Sequence, residues 1–274
     1  MKLVIPFLTT RPPGGPEAAV AQQKAGQAIL VEGLNKSYGD WPVLWNLNLS
    51  VGWGEFVVLL GANGTGKTTL LRVLSTQARP ESGMVNVAGY DCIRQADSVR
   101  RRVGVVGHSG FLYEDLTCRE NLLFYGQLFR VEPIRPRVEA VLSLVGLTRR
   151  ADHRVKTLSH GMQKRVAIAR AILHQPRVLL LDEPEGGLDQ ESVAMLRSLL
   201  REWTQSGRTV VMTTHNVELG LAWADRVAVL SDGGLQFQNR EEYRDSAKLQ
   251  LSRASSPDQA ASGGTALTAG SPGE

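Results

Sequence analysis

The stretch Gly61-Ala62-Asn63-Gly64-Thr65-Gly66-Lys67-Thr68-Thr69 fits the pattern G-x-x-x-x-G-K-[ST], and its flanks constrain everything the surrounding chain can fold into. Phe56 to Leu60, just before it, is an unbroken apolar run that reads as a buried strand. Leu70, Leu71, Val73 and Leu74, just after it, recur at helical spacing. Strand, glycine-rich loop and helix therefore follow one another without a gap. The three glycines let the backbone curl until successive N–H groups point inward, and the helix beginning near Lys67 adds the positive end of its dipole. The loop is shaped to hold an anion.

In such a cradle Lys67 would reach the β- and γ-phosphates of a nucleotide as a point charge, and the Thr68 hydroxyl would hold Mg²⁺. A second constellation supports this. Val178-Leu179-Leu180-Leu181-Asp182-Glu183 places two carboxylates at the carboxyl end of an all-apolar strand, where open α/β sheets put their ligands. Asp182 would serve Mg²⁺, directly or through water, and Glu183, one residue on and pointing differently, would polarise the attacking water. His215 follows the strand Thr209 to Thr213, emerges at the same edge, and would contact the γ-phosphate.

At 274 residues and 42% hydrophobic composition, the chain can hold one large domain or two small ones around a substantial core. The formal charge of +4 is spread along the sequence, so no nucleic-acid partner is expected. Its densest cluster, Arg100-Arg101-Arg102, reads as a solvated helix or strand end before it reads as a phosphate-backbone footprint, because no aromatic residues interleave it. Cys92 and Cys118 lack metal-ligand spacing, which fits a reducing cytosol. Met1 to Leu8 falls short of a secretory signal, and no window approaches the roughly 20 apolar residues of a membrane span. Any membrane role is expected to come through another chain.

Residues 1–27 and 244–274 are rich in small residues and read as disordered tails, leaving a folded unit at 28–243 without internal repeats. Within it, Ala28 to Leu34, Leu47 to Val51, Phe56 to Leu60 and Met84 to Val87 read as strands. From Leu116 to Val145 the spacing turns helical, which marks an insertion at about 108–163. Met162, Val166, Ala169 and Leu173 then line one helix face, Pro176 ends that helix, and strands return at Val178, Thr209 and Val227. Strands alternating with helices around a phosphate loop give a doubly wound α/β core.

These residues together resemble an ATP-binding cassette ATPase over nearly all of the folded region. Leu158-Ser159-His160-Gly161-Met162-Gln163-Lys164-Arg165 resembles the family's signature sequence and stands just before the carboxylate strand. Glu185-Gly186-Gly187-Leu188-Asp189 resembles the loop that contacts the opposite subunit, and Tyr38 matches the aromatic position that stacks on adenine. The resemblance implies a P-loop NTPase, RecA-like core with an antiparallel β subdomain and an inserted α-helical subdomain. It also implies ATP and Mg²⁺ as cofactors and a head-to-tail homodimer in which Ser159 and Gly161 of one copy complete the γ-phosphate site of the other. Separate transmembrane permease subunits would place that dimer peripherally on the cytoplasmic face of the cell membrane.

Two positions depart from the pattern. His108 stands where the family usually carries a Mg²⁺-binding glutamine, although imidazole is a poorer ligand than an amide oxygen for a hard cation, and His160 replaces the first signature glycine. Gly107-His108, Leu116-Thr117, Glu120-Asn121-Leu122 and Phe124-Tyr125 resemble the haem exporter ATP-binding subunit of cytochrome c maturation. The same segment shares features with ATPases of drug, lipid and polysaccharide exporters. A soluble cassette acting in translation or DNA maintenance is a further alternative, but its usual tandem cassettes or long coiled-coil insertion are missing here.

Overall fold

The structure is a computed structural model that describes residues 26–107 and 110–238. Among the described residues ten strands form two sheets. Strands β1 (Gln27–Tyr38), β2 (Trp41–Gly52), β4 (Ser82–Val87) and β5 (Tyr90–Asp91) make an antiparallel sheet in the order β2-β1-β4-β5. Strands β3 (Phe56–Leu60), β6 (Val103–Val106), β7 (Val178–Asp182), β8 (Thr209–Thr213), β9 (Arg226–Ser231) and β10 (Gly234–Gln238) make the other, in the order β10-β9-β3-β8-β7-β6. All of its pairings are parallel except β10 with β9. Every residue of β3, β7 and β8 is buried, as covered parallel strands require.

The parallel register fixes where the chemistry emerges. Leu60, Asp182 and Thr213 all end their strands at one sheet edge, with Asp182 directly opposite Thr213. Helix α1 (Lys67–Leu74) packs against β7 and against β2 and β4, so Leu70, Leu71, Val73 and Leu74 join the two sheets into one hydrophobic core. Helix α2 (Ala96–Arg100) leads into β6. The triple-arginine cluster straddles this turn, where Arg100 bonds Asp97 and Thr76 and Arg102 lies over the Tyr90 ring.

The expected helical insertion is two helices, α3 (Cys118–Leu128) and α4 (Ile134–Leu144), followed by short 3-10 turns. A capping box, with Thr117 accepting from the Glu120 N–H and Glu120 accepting in return, starts α3. Helix α5 (His160–Ile172) then packs on β6, closely enough that a Cβ on Gly104 would lie 2.3 Å from the Ala171 carbonyl oxygen. It opens at His160, two residues ahead of the expected Met162, because Ser159 is its cap, and it ends at Ile172, ahead of Pro176. Helices α6 (Gln190–Gln205) and α7 (Val217–Trp223) complete the described residues.

The N-terminal boundary moves by a residue, since Gln27 already pairs with Gly52 in β1. The remainder of the two expected tails and residues 239–243 lie outside the described residues.

One half-buried group ties the insertion to the core and carries a pH signature. His174 stacks on Phe129, which follows α3, with ring centroids 4.0 Å apart, and its Nε2 lies 3.2 Å from the Val103 carbonyl oxygen at the start of β6. Burial pushes the imidazole pKa down to about 4, so it stays neutral in the folded state where an unfolded chain would take up a proton. The unfolded state therefore binds more protons between pH of about 6.5 and 4, and stability falls as pH falls through that window, by on the order of 2–3 kcal/mol from this group. Denaturant unfolding from pH 7 to 4 is expected to show this slope, and His174→Gln is expected to flatten it. Equal slopes in both proteins would assign the acid sensitivity elsewhere.

Candidate nucleotide-binding and hydrolysis site

The loop after β3 needs its glycines for steric reasons that the structure makes explicit. Gly61 has φ +152, and a Cβ there would lie 2.4 Å from the Leu230 carbonyl oxygen. Gly66, with φ +103, would drive a Cβ to 2.8 Å from Leu44 Cδ2. Both positions combine a left-handed backbone with a close neighbour, so no other residue fits without rearrangement. Gly66 is also the N-cap of α1 and offers no side-chain cap, and the first turn carries no acidic residue. The helix N–H groups are left for an external acceptor.

Lys67 spans this loop, its Nζ donating to the carbonyls of Gly61 at 2.7 Å and Ala62 at 2.8 Å. Burial pushes its ammonium pKa below the ordinary lysine range, while Glu183 and Asp182 act in the opposite direction. Thr65 closes the turn by donating its hydroxyl to the Ala62 carbonyl at 3.0 Å, and Asn63 and Gly64 form its exposed tip. Thr69 is turned into the protein.

Asp182, 4% exposed, accepts the Thr68 hydroxyl at 2.8 Å on one carboxylate oxygen and the Thr213 hydroxyl at 2.6 Å on the other. A carboxylate and a hydroxyl side by side at the foot of a phosphate loop are hard oxygen donors of the kind Mg²⁺ takes together with nucleotide phosphates, so the residues fit that ion. No group of three or more His, Cys, Asp or Glu side chains that could hold a metal occurs among the described residues. A cleft beside Thr68 and Asp182 is lined also by Val106, Gly107 and Phe111. His108, expected as a metal ligand, follows Gly107 but lies outside the described residues.

Glu183 leaves the strand with φ +48, a left-handed conformation uncommon for a residue with a side chain. Its N–H donates to the Thr213 hydroxyl at 3.1 Å, and its carboxylate meets His215 Nε2. The backbone thus turns Glu183 away from Asp182 and onto the histidine. His215 is held between the end of β8 and Asn216, whose side chain caps α7 by accepting from the Leu219 N–H at 3.0 Å. Thr214 bonds the Glu185 carboxylate, which ties the segments after β7 and β8 together.

The structure brings Lys67, Thr68, Asp182, Glu183 and His215 into one cluster. Tyr38 sits apart, at the β1–β2 turn opposite Trp41 and 46% exposed, with the Lys36 ammonium 5.1 Å from its ring centroid. The same hairpin reaches the loop through Val43 and Leu44, which back Gly66. Ser159, Gly161 and Asp189 make their contacts elsewhere: Ser159 and Asp189 cap α5 and α6, and Gly161 lies against Gly187.

Sequence reasoning missed Thr213, which holds both Asp182 and Glu183. Its signal was a threonine ending an otherwise apolar strand, although its partner depends on register. It also missed Lys164, whose ammonium burial pushes down while Glu185, Asp182 and Glu183 oppose that shift.

A glycine loop on a helix N-terminus, a fixed aspartate and a glutamate–histidine pair at one edge of a parallel sheet define a phosphate-loop ATPase. Comparison with known proteins narrows the class. The ABC transporter family profile matches residues 44–186. Daunorubicin resistance ATP-binding protein DrrA3 of Streptomyces coeruleorubidus is 39% identical over 76% of this chain and 67% of its own length. Nod factor export ATP-binding protein I of Rhizobium meliloti is 37% identical over 79% of this chain and 65% of its own. The chain thus spans about two thirds of the length of these relatives. A solved dimeric ATP-binding cassette, in a post-hydrolysis state bound to ADP and Pi, superposes with a TM-score of 0.71 at 30% identity, covering 77% of this chain and 98% of that one. This chain belongs to the ABC transporter family, and its fold is that of an ABC ATPase.

Lys67→Ala is expected to weaken ATP binding about tenfold or more, since a hydrogen bond to a charged group is worth about 1.5–3 kcal/mol. Because the ammonium pKa is lowered, ATP affinity in the native protein should decline with rising pH before an ordinary lysine would lose its proton. Calorimetric titration with MgATP across pH checks both; unaltered affinity in the variant would remove Lys67 from the site.

Proposed function

We propose that this chain is the ATP-hydrolysing motor subunit of an exporter, working as a head-to-tail homodimer on separate transmembrane subunits at the cytoplasmic face of the membrane. The observation that carries the reading is the Glu183–His215 pair set beside the Lys67, Thr68 and Asp182 cluster. No helix among the described residues is long and apolar enough to cross a membrane, which accords with a permease supplied by other chains. The dimeric cassette neighbour supports the homodimer.

In this reading the N–H groups of the loop 61–66 and Lys67 grip the phosphates of ATP, and Tyr38 stacks on the adenine. Mg²⁺ held by Thr68 and Asp182 would neutralise charge across the β- and γ-phosphates. Glu183 orients the attacking water and accepts its proton, and the β–γ phosphoryl bond breaks to leave ADP and phosphate. His215, already positioned on Glu183, holds that carboxylate in place and faces the γ-phosphate. Ser159, Gly161 and Asp189 of one copy meet the nucleotide of the other. Closure on ATP and reopening after hydrolysis drive the permease.

For the cargo, the drug, lipid or polysaccharide class is preferred. Relatives named for daunorubicin resistance and Nod factor export align over three quarters or more of the chain, whereas the haem-exporter resemblance rests on a segment between Gly107 and Tyr125. That segment keeps haem export as the second reading.

Glu183→Gln is expected to lower ATP turnover at least a hundredfold, in line with general-base contributions of about 10²–10⁴, while retaining ATP binding and accumulating an ATP-bound dimer. Steady-state phosphate release and light scattering measure the two effects, and normal turnover would remove Glu183 from the mechanism. Co-expression with candidate permeases should recover a membrane complex in which cargo stimulates ATPase activity. Stimulation by haem and by none of the amphiphilic drugs or lipids would reverse the order of the two readings.

A further inference from the structure

Two loops outside the nucleotide cluster lie against each other within one chain. Ser159 starts α5 by accepting the Met162 N–H at 3.3 Å, and Asp189 starts α6 by accepting the Ser192 N–H at 2.8 Å. Between these caps, a Cβ on Gly187 would lie 2.5 Å from Cδ2 of His160, and a Cβ on Gly161 would lie 2.8 Å from the Gly187 carbonyl oxygen. The imidazole rests on a bare α-carbon, in a notch that only glycine leaves open. Gly187 also has φ +76, a second reason for glycine there.

Ser159, His160, Gly187 and Asp189 are all exposed, so this is a surface interlock and not a core contact. It also lies next to the hydrolytic pair. Glu185, two residues before Gly187, bonds the Thr214 hydroxyl, and Thr214 immediately precedes His215.

We propose that His160 is a positioning residue that keys the loop Ser159 to Gly161 onto the loop Glu185 to Asp189 of its own subunit, so that both meet a second copy as one preformed face. The inference rests on the head-to-tail dimer proposed above. A glycine at position 160 would leave the two loops to order independently when the second copy arrives. The histidine settles their relative placement beforehand, so less conformational freedom is lost on closure. Through Glu185 and Thr214, the face presented to the partner is joined to the segment that places His215 on Glu183 in the same subunit.

The test uses the Glu183→Gln protein, in which turnover does not erase the dimer. His160→Gly is expected to raise the ATP concentration for half-maximal dimerisation by about fivefold, the scale expected when one side chain's ordering is no longer settled before closure. ATP affinity of the monomer, measured by titration at low protein concentration, should not change. His160→Phe, which keeps a ring to fill the notch, should restore the threshold. Gly187→Ala should impair dimerisation more in the His160 background than in His160→Gly, because its backbone strain is common to both and the clash is not.

An unchanged threshold in His160→Gly overturns the proposal, as does additivity of the two substitutions. Failure of phenylalanine to restore the threshold also overturns it, since the imidazole would then act by contacting phosphate. If Glu183→Gln itself forms no ATP-dependent dimer, the functional reading falls and takes this inference with it. A normal dimer with an indifferent His160 sinks the inference alone.

Discussion

The site depends on one bridge. Asp182 is gripped by two threonine hydroxyls, Thr68 from the first turn of α1 and Thr213 from the end of β8, so neither carboxylate oxygen is free to wander. Thr213 then accepts the N–H of Glu183, and the same residue sets the direction in which the next carboxylate leaves the sheet. The parallel pairing of β7 with β8, with Asp182 opposite Thr213, makes this possible. A slip of one residue would invert every side chain on β7 and carry Asp182 to the other face. The all-apolar composition of Val178 to Leu181 makes such a slip tolerable for burial, so the bridge itself helps to specify the register.

Charge is arranged to match. The loop offers uncapped N–H groups and a partly desolvated ammonium, which favour an incoming polyphosphate, while two carboxylates brought beside it by the sheet would repel one unless a cation or a histidine offsets them. Asp182 has hydroxyls that can share a hard cation, and Glu183 has His215. Two adjacent acids in sequence thus acquire separate environments because the backbone takes a left-handed turn between them. That turn is the local strain of the site, held in place by the Thr213 bond and the Thr214–Glu185 contact.

Where a physical signal was local, the sequence displayed it. Phe56 to Leu60 and Thr209 to Thr213 were legible to the residue because each is a continuous apolar or β-branched run bounded by polar or glycine residues. The phosphate loop was legible because its glycines and its lysine act through the backbone they sit on. Thr213 was not, since its part in the site exists only when β8 lies beside β7. Helix α6 has apolar residues at Leu196, Leu199, Leu200 and Trp203, all buried in the structure, and that spacing was available but unused. Glu183 was legible as the acid that follows an apolar strand, while its partner His215, 32 positions along, could be assigned only as facing the same cleft. The choice of cargo drew on a short segment after β6, and the relatives that align across most of the domain bear other names.

The inserted helices are attached in a way that bears on how the motor would transmit movement. Arg137, on α4, donates to the carbonyls of Ile172 and Leu173 at 2.7 Å each, covering the end of α5. Burial pushes its guanidinium pKa down to about 9, and the α5 carbonyls give the remaining charge a favourable place to sit. Arg170, on α5, donates to the Val105 carbonyl at 2.6 Å between the rings of Phe111 and Tyr125, the latter on α3. With His174 on Phe129, these contacts clamp both inserted helices to the C-terminal end of α5 and to β6. The N-terminal end of that same helix carries Ser159, His160 and Gly161. A push on α3 or α4 meets polar bonds that are buried at Arg137 and partly withdrawn from water at Arg170 and His174, so giving way would mean breaking them where water replaces them poorly. In the dimer proposed above it would be passed along α5, from the insertion to the loop Ser159 to Gly161.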